Sequence, residues 1–163
     1  DKPITSIAAT ALYQYDLFLM TRWKKLYPKA HFVSMFDILL KQAMPFIFKS
    51  GHTMGIHLYD SQADVFLFID GEMHLYNTFE IATADDISYF ILSILRNFDI
   101  KGKVDRILWS GGDVDAEYAN RLTNYTTEIV VLDAEEKWKV NDEASAKELK
   151  GLNILKDSTV CVL

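Results

Sequence analysis

Along this chain the spacing of apolar positions changes near residue 54. Before it, apolar residues recur at helical spacing. Asp16 reads as an N-cap, Leu19, Met20, Trp23 and Leu26 follow on one helical period, and Pro28 closes the segment. His31-Phe32-Val33 reads as a short extended stretch. Ser34 then opens a second helix carrying Phe36, Leu39, Leu40 and Ala43, which Pro45 ends or kinks. Lys49 to His52 read as a linker.

From Met54 the period becomes two. "MGIHLYD" sets Ile56 and Leu58 against His57 and Tyr59, which predicts a strand with one solvated face. "DVFLFI" is a nearly continuous apolar run, as expected of a strand buried on both faces. Asp70-Gly71 joins it to "EMHLYNTFEI", where Met73 and Leu75 alternate with His74 and Tyr76. An Asp-Gly pair between two strands predicts a tight hairpin, because both turn positions need positive φ. Thr83 and Asp86 then stand at capping-box spacing. Ile87, Phe90, Ile91, Ile94, Leu95 and Phe98 form one helical stripe. "RILW" predicts a fourth strand, Asp115 caps a helix with Tyr118, Leu122 and Tyr125, and "EIVVLD" predicts a fifth. "STVCVL" reads as one more short strand.

Strand-strand-strand-helix-strand-helix-strand implies an α/β fold with a mixed five-strand sheet, because hairpins pair antiparallel and helical crossovers return parallel. With 163 residues, half of them apolar, the chain can bury one substantial core. Its net charge of -6 argues against a nucleic-acid partner. The densest basic cluster, Arg22, Lys24, Lys25 and Lys29, reads as a solvated helix face. Cys161 is the single cysteine and no zinc-type spacing occurs, so a cytoplasmic location is expected. No apolar run has membrane-spanning length. The first residue is Asp1, and the chain is read as a fragment or processed product.

Three stretches carry a closer resemblance: "LYPKAHFVS", "GIHLYDSQADVFLFIDGEMHLYNTFEIATADDISYFIL" and "ILWSGGD". They resemble an uncharacterised protein family of Bacteroides-type bacteria whose fold is actin-like, a ribonuclease H-like architecture, and distantly similar to the pilus assembly protein PilM. The resemblance implies that residues 1-50 are the end of a first, incomplete lobe and that residues 51-163 form the second. It also implies where a nucleotide would sit. Asp60 and Ser61 match in type the loop after the first strand, but no glycine follows them. Ser110, Gly111 and Gly112 match the turn after the fourth strand, where ATP with magnesium would pack. Asp113, Asp115 and Glu117 crowd the next helix start with carboxylates, which repel phosphate.

A metal-dependent nuclease of ribonuclease H-like fold needs converging carboxylates, and Asp60, Asp86 and Asp113 are the nearest candidates. All three read more simply as turn and cap residues. His57 and His74, on strands separated by another strand, read as solvent-facing rather than as metal ligands. Ser110 lacks the surroundings of a nucleophile elbow. The expectation is therefore a scaffold or protein-interaction module with an unidentified protein partner and no cofactor, rather than an enzyme. Its partner would engage a sheet edge, the helical segment 16 to 44, or the region of Trp138.

Overall fold

The structure, a computed structural model, describes residues 2–4, 9–11, 14–59, 61–112 and 116–133. Asp60, Asp113, Asp115, Trp138, Cys161 and the "STVCVL" stretch lie outside the described residues. A short antiparallel pair, β1 (Lys2–Ile4) and β2 (Ala9–Ala11), precedes two helices, α1 (Leu17–Leu26) and α2 (Met35–Ala43). Then come β3 (His52–Tyr59), β4 (Gln62–Ile69), β5 (Glu72–Glu80), α3 (Ala84–Asn97), β6 (Arg106–Gly111), α4 (Ala116–Leu122) and β7 (Ile129–Val131).

The last five strands form one sheet in the order β5-β4-β3-β6-β7. The two hairpins pair antiparallel, and β3–β6 and β6–β7 pair parallel, as the predicted element order requires. One face packs on α3 and α4 through Met54, Ile56, Val65, Leu67, Ile87, Ile91, Ile107 and Trp109. The other face carries Phe66, Phe68 and Leu108 beneath Ile38, Leu39, Leu40 and Ala43 of α2. Burying each of the three larger α2 side chains contributes about 1.5–3 kcal/mol. That face has room for Phe66 because its cross-strand neighbour is Gly55, where an added Cβ would stand 1.8 Å from the ring.

Local signals place the element ends. Asp16 accepts the Leu19 N–H at 2.9 Å, and Ser34 accepts the Asp37 N–H at 3.1 Å. The β4–β5 turn has φ of 52° at Asp70 and 81° at Gly71, the left-handed pair that the Asp-Gly signal predicts. Asp86 accepts the Thr83 N–H at 2.7 Å and holds the start of α3. Helix α3 ends in a left-handed Asp99, with Ile100 N–H bonded to the Leu95 carbonyl at 2.9 Å and Ile100 returned to the core.

The structure corrects several expectations. His31 to Val33 form no strand, and β3 starts at His52, inside the expected linker. Met73 and Leu75 do not share a face: the β4–β5 register shifts between Leu67 and Phe68, so β5 carries one extra residue there. Leu75 then joins the α3 side and Met73 the α2 side. His57 is not solvent-facing; it is buried, because α2 and its neighbours cover the face that period-two reading left open.

Candidate functional site at the strand ends

The positions matched to a nucleotide site come from two loops at one end of the sheet. Parallel pairing of β3 with β6 sets Leu58 beside Gly111, so the β3–β4 hairpin and the Ser-Gly-Gly turn emerge side by side. Ser61 is exposed, and its carbonyl accepts the Ile81 N–H at 2.8 Å, tying the hairpin to the start of α3. It lines an open depression of about 570 Å³ with Tyr59, Gln62, Glu80, Ile81, Ala82 and Asp86. Ser110, Gly111 and Gly112 take no part in that lining. Parallel pairing thus brings the two loops to one end of the sheet.

The glycine turn is spent on packing against β3. Gly111 has φ of +87°, and a Cβ there would lie 1.9 Å from the Leu58 carbonyl oxygen. The Gly112 N–H donates to that same carbonyl at 2.8 Å, and the Gly112 carbonyl accepts the Trp109 indole N–H at 2.7 Å. The Ser110 hydroxyl lies 2.9 Å from His57 Nδ1, with both residues buried. The Gly112 amide is thus engaged with β3, and the Ser110 hydroxyl lies against His57.

The main polar feature of the sheet was not read from the sequence. Ser110, His57, Asp64 and Thr78 are successive cross-strand partners and form a row across β6, β3, β4 and β5. The buried Asp64 accepts hydroxyl hydrogens from Thr78 at 2.6 Å, Tyr76 at 2.8 Å and Tyr59 at 3.4 Å. Burial pushes the Tyr76 phenol well above its ordinary range, and its bond to Asp64 adds to the effect. Burial likewise raises Tyr59, assisted by the Asp64 charge. Burial lowers the pKa of His57, and the Asp64 charge opposes that shift. The available signal was a lone carboxylate inside the apolar run "ADVFLFI", which an interior strand tolerates only with partners.

Serine, histidine and aspartate in one row are the residue types of an acyl-transfer triad. Ser110 is only 3% exposed, so its hydroxyl has no path to a substrate, and Asp64 is engaged by three other hydroxyls. Of the nuclease carboxylates, Asp86 is engaged at the α3 cap by Ala82, by the Thr83 N–H and by the Thr83 hydroxyl. Glu117 pairs with Arg121, which also reaches Asp85. Among the described residues no group of three His, Cys, Asp or Glu side chains is placed to hold a metal ion, and no helix is long and apolar enough to cross a membrane.

A mixed sheet with the first strand central and an antiparallel hairpin on one flank defines the ribonuclease H-like lobe that actin-like proteins use. A crystal structure from Bacteroides thetaiotaomicron, a protein with actin-like ATPase fold and unknown function, superposes with a TM-score of 0.62 at 19% identity. The match covers 87% of this chain and 52% of that one, so this chain spans about half the length of that protein. The chain belongs to the family described as "Protein of unknown function (DUF3822)", which it matches over residues 2–129. No curated protein matches it.

Proposed function

We propose that this chain is a non-catalytic cytoplasmic scaffold or protein-interaction module built on an actin-like lobe. The observation that carries this reading is the closure of the strand ends. The Ser110 hydroxyl and the Gly112 amide bond His57 and Leu58 of β3, where an active lobe needs free donors. In this proposal residues 1-50 are the end of a first lobe and 51-163 the second, with α2 packed on the sheet of the second. Kinship with the pilus assembly protein PilM belongs to the same proposal and fits an assembly role better than a chemical one.

A partner has a structural template in β5, which pairs with β4 alone among the described residues and presents a nine-residue edge. The test has two arms on the full-length protein. Millimolar ATP with magnesium is expected to leave the melting temperature unchanged, and a clear rise reinstates nucleotide binding. Affinity purification under gentle lysis is expected to recover a protein partner that is lost on Glu80→Pro, at a position whose backbone N–H points away from β4. Recovery of no partner by the folded wild-type protein overturns the module reading.

A further inference from the structure

We propose that helix α1 docks on an anionic lipid surface, lying along it with its Leu19–Trp23–Leu26 face against the headgroup boundary. None of the residues of α1 is buried, although it is rich in large apolar side chains. Leu19 is 50% exposed, Trp23 44%, Leu26 61% and the adjoining Tyr27 54%. At the α-helical step these four fall within a sector of about 100°, and the exposed Leu17 and Phe18 of the first turn lie off it on the far side. Trp23 and Tyr27 stack with ring centroids 5.5 Å apart, so the aromatic part of this face is already ordered.

Charge identifies the surface that fits. From Asp16 to Lys29 there are four cations, Arg22, Lys24, Lys25 and Lys29, against the single carboxylate of Asp16, a net +3 within a chain of net -6. Asp16 is engaged in capping α1. Arg22 and Lys24 flank the apolar sector on its two sides, and Lys25 lies opposite. Cations at both margins of an apolar face can reach lipid phosphates while their stems stay in the boundary. The aromatic pair has the amphipathic character that this boundary favours. A protein groove would need carboxylates along both margins, whereas an anionic bilayer supplies charge on every side.

The proposal goes beyond the interaction-module reading and stands or falls without it. The experiment is vesicle flotation of the full-length protein, using phosphatidylcholine alone or mixed with phosphatidylglycerol. Binding is expected only with phosphatidylglycerol and should weaken as salt rises. Arg22→Glu with Lys24→Glu should lower partitioning more than about tenfold, each cation contributing about fivefold. Trp23→Ala should also lower it, with the circular dichroism of both variants unchanged. Failure of the wild-type protein to float with either vesicle overturns the proposal. So does undiminished binding by the Arg22/Lys24 variant. Loss of an acidic protein partner in these variants without any vesicle binding assigns the face to that partner and overturns it as well.

Discussion

His57 Nδ1 and the Ser110 hydroxyl oxygen lie 2.9 Å apart across the parallel β3–β6 pair, both shielded from solvent. Together with the Gly112 bond to Leu58, this contact ties the ends of β3 and β6 to each other. It also makes the fold sensitive to acid. Burial holds His57 below its ordinary pKa of 6.5, so the folded chain favours the neutral ring. Above pH 6.5 its contribution is complete. As pH falls below 6.5 the unfolded chain takes up a proton that the folded chain resists, and stability declines until the lowered folded-state pKa is passed. Melting temperature against pH should show this decline, and His57→Gln should flatten that part of the curve.

The Asp64 carboxylate is buried on the strength of its hydroxyl donors. Tyr76→Phe and Thr78→Val each remove one and should each destabilise the protein by about 1.5–3 kcal/mol in urea denaturation. The Tyr76 phenol should stay protonated, in an ultraviolet pH titration, at alkaline pH where exposed tyrosines ionise. Its ionisation alongside them would show that the phenol is not held buried beside Asp64 in solution.

Adjacent glycines should respond differently to alanine. At Gly111 the new Cβ meets the Leu58 backbone at 1.9 Å in a left-handed conformation, and a loss of about 3 kcal/mol or more is expected. At Gly112 the nearest atom is a Leu58 methyl at 3.1 Å, which can move, and a loss below about 1 kcal/mol is expected. Equal losses in thermal or chemical denaturation would refute this account of the turn.

Gly55→Ala places a methyl group 1.8 Å from the Phe66 ring and should destabilise strongly. Phe66→Leu alone should lose about 1–2 kcal/mol through reduced packing. Combined, the two changes should lose less than the sum of the single ones, because the smaller side chain relieves the contact. A double-mutant cycle measures this coupling, and strict additivity would rule out the direct contact.

Much of the fold was legible because its signals are local. The Asp70-Gly71 turn, the Ser34 and Asp86 caps and the six-residue stripe of α3 depend on residues a few positions apart. The mixed character of the sheet follows from hairpins and crossovers, whereas its strand order, with β6 beside β3, is read from the structure. Less of the candidate site could be read. Ser110 and Gly111 read as a turn after the fourth strand, yet they are the last two residues of β6 and pair with β3, and the Gly112 amide also bonds β3.

By itself, then, the sequence determined the main helices, the strands of the large sheet and its mixed character, since backbone dihedral preference and apolar period act over short spans of chain. Tertiary structure decided which polar groups are covered. His57 is buried because α2 and its neighbours cover its face of the sheet, and Met73 changes face because one extra residue in β5 shifts the pleat. It also decided that α1, patterned like any helix that packs, leaves Leu19, Trp23 and Leu26 exposed. Burial and register depend on elements distant in the chain, and no short window of residues encodes them.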